Sequence, residues 1–314
     1  MRESTWTEES WVAGVHRWID ERLAELGLRR TGDIEQPHVA PWSTVMKVPV
    51  GEETVFFKAN TDELRHEAAI VQRLAARMPD RVPPLLAVDE DSGWMLMADA
   101  GETLRTVVPR ERSLDRWLDA LGRYAEVQLA MTDAVDDLLA AGVPDMRLDV
   151  LPDKYAALMD VTDAEQRFRT ALPWVEELAA ELAGHGIAET LQHDDLHDGQ
   201  VFVRSGPDGH GERHLLMDWG DSCISHPFFT LSVTLEGVIA WGVDDEESST
   251  DTTPFLEAYL APYAAAYPHV DLIAAARTAT RLGWAARAVN GHVPGHEAHT
   301  ATRLRMFLDG RAEP

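Results

Sequence analysis

Two acidic turns, each at one end of a short apolar strand, carry the residues best suited to chemistry in this chain. The first, residues 193–200, reads His-Asp-Asp-Leu-His-Asp-Gly-Gln and runs into an apolar segment. The second, residues 218–221, reads Asp-Trp-Gly-Asp and follows another apolar segment. We expect two such strands to bring their carboxylates close together. Phosphoryl transfer from ATP uses that arrangement, because one carboxylate orients a hydroxyl nucleophile and another holds Mg²⁺ on the phosphates.

The alternative interpretation is two unrelated acidic turns at strand ends. Either turn alone would be weak evidence, because short acidic turns are common in proteins. The two turns occur in the order and at the spacing that phosphoryl transfer requires, which favours the chemical interpretation.

The order His-x-Asp-x-x-x-x-Asn/Gln, followed by a hydrophobic-Asp-x-Gly strand end, resembles the catalytic and metal loops of kinase-like phosphotransferases. It is most similar to the aminoglycoside phosphotransferase family, whose first loop usually reads His-Gly-Asp-x-His-x-x-Asn. The resemblance implies an α+β, protein-kinase-like bilobal fold with a small mixed N-lobe and a larger, mostly helical C-lobe. It also implies use of ATP or another nucleoside triphosphate together with Mg²⁺.

The resemblance assigns roles to the matching positions. Asp195 corresponds to the catalytic aspartate, and Asp218 and Gln200 correspond to the Mg²⁺ ligands. Gln200 stands where Asn is usual, but it keeps the amide oxygen as a ligand. Asp194 replaces the usual Gly and faces either the acceptor or solvent. His193 is expected to brace the loop through its ring nitrogens.

An upstream strand and helix supply a candidate Lys–Glu pair. Residues 54–58 form a β-branched and aromatic run that ends in Lys58. The following segment has apolar residues at helical spacing, and Glu67 lies one position from that stripe. Lys58 would then neutralise the α- and β-phosphates while Glu67 holds it in place. The alternative is a surface lysine and a solvated glutamate.

Two further segments are assigned to the nucleotide. Ser43 and Thr44 lie in a turn between two strands and are expected to offer hydroxyl and backbone N–H groups to the phosphates; the alternative is an ordinary hairpin. By the resemblance, the backbone of Met97, Ala98 and Asp99 would read the adenine edge. Plain core packing is the alternative for the methionine.

The resemblance places the acceptor between the catalytic loop and the helices that follow the metal loop. Six side chains there are candidates to bind a hydroxyl or amine, and each could equally be a capping, core or solvent residue. They are Asp194, His197, Asp198, Asp221, Glu236 and Trp241.

Composition restricts the partners. The 314 residues include 28 Lys and Arg against 54 Asp and Glu, a formal net charge of −26. That balance disfavours nucleic acid and anionic membranes, which demand basic surfaces. It suits a cationic acceptor, although general acidity that only aids solubility explains it equally well. The sequence leaves the oligomeric state open.

The single cysteine, Cys223, excludes an intramolecular disulfide and a cysteine-rich zinc site. The first residues do not form an apolar signal core, and no run approaches the roughly 18 apolar residues of a membrane span. We therefore expect a cytoplasmic protein.

The resemblance implies a nucleotide-binding lobe over residues 1–99 and a helical lobe over 100–314 that carries both loops and the acceptor site. Hydrophobic periodicity predicts the helices and strands of each lobe. The first lobe has a leading helix over 7–26, strands near 30–58 and 85–98, and a helix near 62–77. The second lobe has helices over 113–132, 164–184, 225–241, 254–267 and 271–289. The acidic run 243–251 is either a solvated loop or an acidic rim over the acceptor pocket.

Three functions fit these features. The first is an ATP-dependent O-phosphotransferase that inactivates an aminoglycoside or another hydroxylated antibiotic, and so confers resistance. The second is a housekeeping kinase for a sugar, amino sugar or amino alcohol. The third is a catalytically inactive, kinase-like binding protein, which the joint retention of Lys58, Glu67, Asp195 and Asp218 disfavours.

Overall fold

The computed structural model describes residues 3–162, 164–205, 212–246 and 249–310. The chain forms two compact units. Unit 1 comprises Met1–Glu102 and Phe202–Gly220, and unit 2 comprises Thr103–Val201 and Asp221–Pro314. This grouping differs from the boundaries expected from the sequence in two respects. The first division falls after Glu102 and not after residue 99. The segment that ends in Asp218 belongs to unit 1, whereas the sequence assigned it to the second lobe.

Unit 1 contains an antiparallel five-stranded sheet in the order β1-β2-β3-β5-β4 and two helices. The elements are α1 (Glu9–Glu25), β1 (Glu35–Val39), β2 (Ser43–Val50), β3 (Glu53–Asn60), α2 (His66–Arg77), β4 (Leu85–Asp89) and β5 (Trp94–Ala98). A single 3-10 turn, Asp62–Leu64, precedes α2. These elements fall close to the strands and helices expected from periodicity.

The hydrophobic core of unit 1 covers one face of this sheet. Val15, Ile19 and Leu23 recur every four residues along α1, so they form one stripe that is fully buried. The stripe belongs to the same buried cluster as Phe57 of β3 and Leu96 of β5. Because side chains alternate across a strand, Lys58 points to the opposite face of the sheet. The packing of α1 therefore decides which way Lys58 faces.

The chain segment that ends in the second acidic turn forms a small sheet. Strands β6 (Glu102–Thr103), β8 (Val201–Ser205) and β9 (Glu212–Leu216) pair in the order β6-β8-β9. Gly101 has φ +92°, and a Cβ there would lie 2.1 Å from the carbonyl oxygen of Val203, so only glycine fits. Arg81 O accepts the Leu216 N–H at 2.8 Å, which fixes the strand that leads into Asp218.

Unit 2 is mostly helical. Its helices are α3 (Leu104–Glu111), α4 (Arg116–Ala130), α5 (Val135–Ala140), α6 (Leu151–Val161), α7 (Gln166–Arg169), α8 (Leu172–Gly184), α9 (Thr253–Ala266), α10 (Leu272–Asn290) and α11 (Glu297–Asp309). The short strands β7 (Thr190–Gln192) and β10 (Cys223–Ser225) pair antiparallel. Among the described residues, no helix is both long enough and apolar enough to cross a bilayer.

Two predicted helices were wrong in extent. The helix expected over 164–184 is interrupted, because α7 ends at Arg169 and Pro173 opens α8. Residues 225–241 do not form one helix. Ser225 ends β10, Pro227 begins a 3-10 turn, and a π-helix covers Ser232–Val238 before a last 3-10 turn. Pairing of β10 with β7 holds the first of these residues in extended form, and Pro227 lacks the N–H that a continuing helix needs.

Part of the predicted acidic run lies outside the described residues, namely positions 247 and 248. In the described part, Asp244 forms an exposed ion pair with Arg112 at 2.9 Å, and Ser249 donates a hydrogen bond to the carbonyl oxygen of Trp241. These contacts hold the described part of the run against its own unit.

Close packing of α10 predicts a stability difference between two helical glycines. A Cβ at Gly283 would lie 2.9 Å from the backbone oxygen of Phe229 and 2.2 Å from Ser232 Oγ, whereas a Cβ at Gly122 in α4 would meet only an ordinary contact at 3.6 Å. We expect Gly283→Ala to lower the free energy of unfolding by about 1–3 kcal/mol. Gly122→Ala, the matched control, should raise it by up to about 1 kcal/mol through helix propensity.

Urea unfolding monitored by circular dichroism measures both values. Equal stability of the two variants would contradict the close approach of α10 to residues 229–232.

Candidate active site

A buried lysine joins two carboxylates in unit 1. Lys58 Nζ lies 2.8 Å from Glu67 Oε1 and 2.6 Å from Asp218 Oδ1. Glu67 is 2% exposed, and it also accepts hydrogen bonds from the Asn60 side chain and the Trp219 backbone N–H. Both of its oxygens are therefore satisfied. The strand, the helix and the metal-loop segment thus meet at one ammonium group.

The charge of Lys58 is secured by its partners. Burial alone would lower the pKa of the ammonium, but the nearby carboxylates of Asp218 and Glu67 outweigh burial and raise the pKa above its ordinary value. Lys58 therefore stays protonated over the whole physiological range. A permanent positive charge in this position is suited to binding phosphate oxygens.

Asp218 adopts a backbone conformation that most residues avoid. Its φ is +62°, in the left-handed region, and the next residue, Trp219, is fully buried. The Gly220 carbonyl oxygen lies 2.9 Å from His66 Nε2, which ties the turn to α2. The Asp218 side chain is 50% exposed. The turn therefore presents one carboxylate that is anchored to Lys58 and still accessible.

The loop over residues 193–200 lies in unit 2, where a second buried cation holds it. Arg287 Nη2 lies 2.9 Å from Asp195 Oδ1 and 2.9 Å from Asp221 Oδ2, and Arg287 Nη1 lies 3.2 Å from Asp194 Oδ2. Asn290 donates to Asp194 Oδ2 at 2.7 Å and to the Asp221 carbonyl oxygen at 2.8 Å. Three carboxylates from two segments thus share one guanidinium.

Asp194 is turned away from solvent. It is 3% exposed and has φ +64°, a conformation in which glycine is common and other residues are rare. Burial raises the pKa of its carboxyl group, although Arg287 and Asn290 oppose the shift. Of the two orientations expected for Asp194, exposure to solvent was wrong, because the carboxylate points at Arg287 and Asn290.

A second arginine binds the other end of the loop. Arg105, in the first turn of α3, donates to Asp198 Oδ1 at 2.8 Å and lies 3.1 Å from His197 Nδ1. Burial opposes ionisation of Asp198, but the hydrogen bonds and the positive charge of Arg105 outweigh it and hold the pKa of Asp198 below its ordinary value. Asp198 and His197 are thus engaged within the loop.

The ring of His197 orients Gln200. His197 Nδ1 accepts the Gly199 N–H at 3.0 Å, so Nε2 carries the ring proton. That Nε2 lies 3.3 Å from the Gln200 side-chain amide and 3.8 Å from Asp195 Oδ2. The amide meets the ring proton best with its oxygen, which retains a second lone pair for another ligand.

The residues assigned to the nucleotide lie in unit 1. They differ in whether their polar groups are already hydrogen-bonded or buried. The buried Thr44 hydroxyl donates to the His38 carbonyl oxygen and accepts from Gln36, so a phosphate contact would break the hairpin's own bonds. Ser43 is also buried, 3.4 Å from the His38 ring. On β5, Met97 is buried, and the Ala98 N–H donates to the Pro84 carbonyl oxygen. Asp99 follows the strand and is exposed.

The remaining acceptor candidates are distributed over unit 2. Asp221 is partly exposed beside Arg287. Glu236, within the π-helix, accepts a hydrogen bond from Trp284 Nε1 at 2.6 Å, and Trp241 ends the last 3-10 turn. Of these side chains, Asp221 shares a cation with Asp195.

Residues that the sequence did not reveal support the candidate site residues, among them Asn60, Arg105, Arg287 and Asn290. For two of them, the sequence contains a pattern from which their role could have been predicted. Asn60 lies two positions after Lys58 on the same face of β3. Arg287 falls on the buried stripe of α10, between Gly283 and Asn290, where a charged residue needs a partner. Arg105 and Asn290 give no such signal.

The Mg²⁺ that the family resemblance implies can be tested against the donors present. Asp218 and Gln200 offer a carboxylate and an amide oxygen, which are the hard donors that Mg²⁺ prefers. Among the described residues, no three His, Cys, Asp or Glu side chains form a metal cage. Mg²⁺ in nucleotide sites commonly uses one or two protein ligands and takes the others from phosphates and water. Asp218 in unit 1 and Gln200 in unit 2 each carry a donor atom of the kind that this ion takes.

Comparisons with known proteins agree with this picture. Residues 51–275 match the model of the phosphotransferase enzyme family, a segment that contains Lys58, Glu67, Asp195, Gln200 and Asp218. No curated protein sequence matches the chain.

Solved structures share the fold at low sequence identity. An ethanolamine kinase from Plasmodium vivax is 11% identical with a TM-score of 0.61, over 88% of this chain and 83% of that one. The GDP and kanamycin complex of APH(2")-IIia is 14% identical with a TM-score of 0.61, over 95% and 99%. Choline kinase LicA from Streptococcus pneumoniae is 15% identical with a TM-score of 0.59, over 95% and 98%. The kinase-like α+β fold expected from the sequence is therefore confirmed.

Removal of the buried ammonium should destabilise unit 1. Lys58→Met leaves the buried Glu67 without its cation, so we expect the free energy of unfolding to fall by about 3–5 kcal/mol. Lys47→Met changes an exposed lysine on the neighbouring strand and should alter it by less than about 0.5 kcal/mol. Equal effects in urea unfolding would show that Lys58 is not the neutralising partner of Glu67.

Proposed function

The chain belongs to the phosphotransferase enzyme family and acts on a hydroxyl acceptor, and from this premise we propose that it is an ATP-dependent small-molecule O-kinase. The observation that supports this most strongly is the buried contact of Lys58 with both Glu67 and Asp218. A lysine held by a helical glutamate is the arrangement that phosphoryl transfer uses to position the non-transferred phosphates. A merely structural ion pair would not need a second, half-exposed carboxylate, that of Asp218.

We assign the chemical step to Asp195. Its side chain is 31% exposed, and one of its oxygens is already held by Arg287. The other oxygen can accept the proton of the acceptor hydroxyl while the hydroxyl oxygen attacks the γ-phosphorus. The new O–P bond forms as the bond to the β-phosphate oxygen breaks, and ADP leaves. Positioning and electrostatics supply most of the rate in such reactions.

We assign the binding and neutralisation of the phosphates to the other site residues. Lys58, fixed by Glu67, binds the non-transferred phosphates. Asp218 and Gln200 supply oxygen ligands for Mg²⁺, which when bound offsets the charge of the phosphate oxygens. The anchoring of Asp218 by Lys58 and the hydrogen bonding of Gln200 to His197 hold these ligands ready.

We propose that the backbone at the end of β5 forms hydrogen bonds with the nucleotide base. Asp99 follows the last paired residue of β5, whereas the Ala98 N–H is already used by Pro84. Asp99 is therefore the better candidate of the three positions. A backbone contact of this kind does not distinguish ATP from another nucleoside triphosphate by itself.

The acceptor we propose is a small hydroxylated cation. The net charge of −26 and the partly exposed carboxylates of Asp195 and Asp221 favour a positively charged molecule. An aminoglycoside or another hydroxylated antibiotic fits this description, and inactivation of that antibiotic would then be the biological role. An amino alcohol or amino sugar fits the same chemistry, and among the structural neighbours are a kanamycin complex, a choline kinase and an ethanolamine kinase.

An acceptor screen tests the proposed function. Purified protein with Mg²⁺ and ATP should release ADP in the presence of one or more hydroxylated amines, and mass spectrometry should show a phosphate ester of that compound. Panels of aminoglycosides, macrolides, amino sugars and amino alcohols, with GTP as a second donor, separate the two biological roles.

Two aspartate variants control the screen. Asp195→Asn removes the proton acceptor and should lower kcat by about 10²–10⁴-fold, the range typical of a lost general base. Asp153→Asn alters an exposed aspartate on α6 and should leave kcat unchanged. Turnover of Asp195→Asn at the native rate would refute the assignment of Asp195.

A further inference from the structure

We propose that Arg287 of α10 is the positioning residue for the proposed phosphoryl transfer, because it fixes one oxygen of Asp195 and leaves the other for the acceptor hydroxyl. This role rests on the proposed function of Asp195. Arg287 lies beyond residue 275 and therefore outside the segment that matches the family model. It is a feature of this chain that the motif residues do not predict.

The contacts of Arg287 leave its guanidinium little freedom. The residue is 5% exposed, and its Nη2 lies 2.9 Å from Asp195 Oδ1 and 2.9 Å from Asp221 Oδ2. Its other terminal nitrogen, Nη1, lies 3.2 Å from Asp194 Oδ2. A guanidinium is planar with fixed donor directions, so three carboxylates at these distances define its plane and the position of Asp195 Oδ1.

The scaffold behind Arg287 is rigid. Gly283, one turn earlier in α10, lies against the backbone of Phe229, and the Arg303 guanidinium donates to the Gly291 carbonyl oxygen at 2.7 Å at the end of the helix. The guanidinium is therefore carried by a helix that is packed along its length. A side chain on such a helix holds a partner more precisely than one on a loop.

Asp194 explains how a buried arginine is tolerated here. Its carboxylate is buried and its backbone takes a left-handed φ of +64°, both of which cost free energy. These costs are offset because the carboxylate accepts hydrogen bonds from Arg287 Nη1 and the Asn290 amide. Asn290 also donates to the Asp221 carbonyl oxygen. Asp194 thus sets the orientation of the guanidinium, while Asp195, the next residue, is the group that Arg287 directs.

The consequence for Asp195 is a division of its two oxygens. Oδ1 is bound by Arg287, whereas Oδ2 lies 3.8 Å from His197 Nε2, beyond hydrogen-bonding distance. Oδ2 is therefore the oxygen left to accept the acceptor's proton. Without Arg287 the carboxylate could rotate, and a misplacement of about 1 Å can lower a rate by about 10²-fold.

The test must separate positioning from folding. Arg287→Ala alone leaves Asp194 as a buried charge without its cation, which destabilises the fold. The double variant Asp194→Gly/Arg287→Ala removes both buried charges and also relieves the left-handed backbone at position 194. We therefore compare kcat of the double variant with kcat of Asp194→Gly, with thermal unfolding as the measure of folding.

The expected result is a fall in kcat of about 10²-fold between these two variants, with the KM for ATP unchanged, because Lys58, Glu67 and Asp218 are untouched. Guanidinium ions at millimolar concentration should restore part of kcat in the double variant, since they can enter the space that Arg287 left. Arg277→Ala, an exposed arginine on the same helix, should match the native kcat and gain nothing from guanidinium.

A double variant whose kcat equals that of Asp194→Gly would overturn the role of Arg287. A fall in kcat that is accompanied by an equal loss of folded protein, with no response to guanidinium, would also overturn it. The native chain and Asp195→Asn are assayed in parallel. Absence of phosphotransfer by the native chain would contradict the proposed function and, with it, this inference. If the native chain is active and Asp195→Asn is not, the comparison of the two Asp194 variants tests the role of Arg287 alone.

Discussion

Neutralisation of buried carboxylates by a buried cation is the constraint on which both units depend. The chain carries 54 acidic residues against 28 basic ones, and an ionised carboxylate is costly to bury unless it is paired. Lys58 meets this need in unit 1 for the buried Glu67 and also binds the half-exposed Asp218. Arg287 meets it in unit 2 for the buried Asp194 and also binds the partly exposed Asp195 and Asp221. In both cases the cation gathers acidic residues from separate segments of the chain.

Backbone strain accompanies each of these clusters. Asp194 and Asp218 both have φ above +60°, which is rare for residues other than glycine. Each is held by the cation of its own unit, so the ion pairs stabilise conformations that the local sequence would not adopt. Strain that persists at positions fixed by surrounding contacts is common at functional sites. Asp194 is next to Asp195 in the chain, and Asp218 is the carboxylate that Lys58 binds, so each strained residue adjoins a proposed functional group of its own unit.

The sequence revealed the motif residues more readily than their supports. Asp195, Gln200 and Asp218 follow a pattern of residue types, and strand alternation together with helical spacing pointed to Lys58 and Glu67. The contact between Arg287 and Asp195 could not be predicted from the sequence. The packing of α10 brings the two residues together, and no local sequence pattern indicates it. The helix expected over 225–241 failed for a related reason, since its apolar spacing does not show that residues 223–225 pair with β7. The fold class, which depends on the order of elements, was predicted correctly.

Phosphorus NMR of the native chain with Mg²⁺, ATP and a hydroxylated amine tests the central claim most directly, because it identifies the chemical form of the transferred phosphate. The account predicts loss of the γ-phosphate resonance of ATP with stoichiometric appearance of ADP and of one phosphate monoester. Unchanged ATP with every acceptor class, or release of inorganic phosphate without any ester, would contradict it.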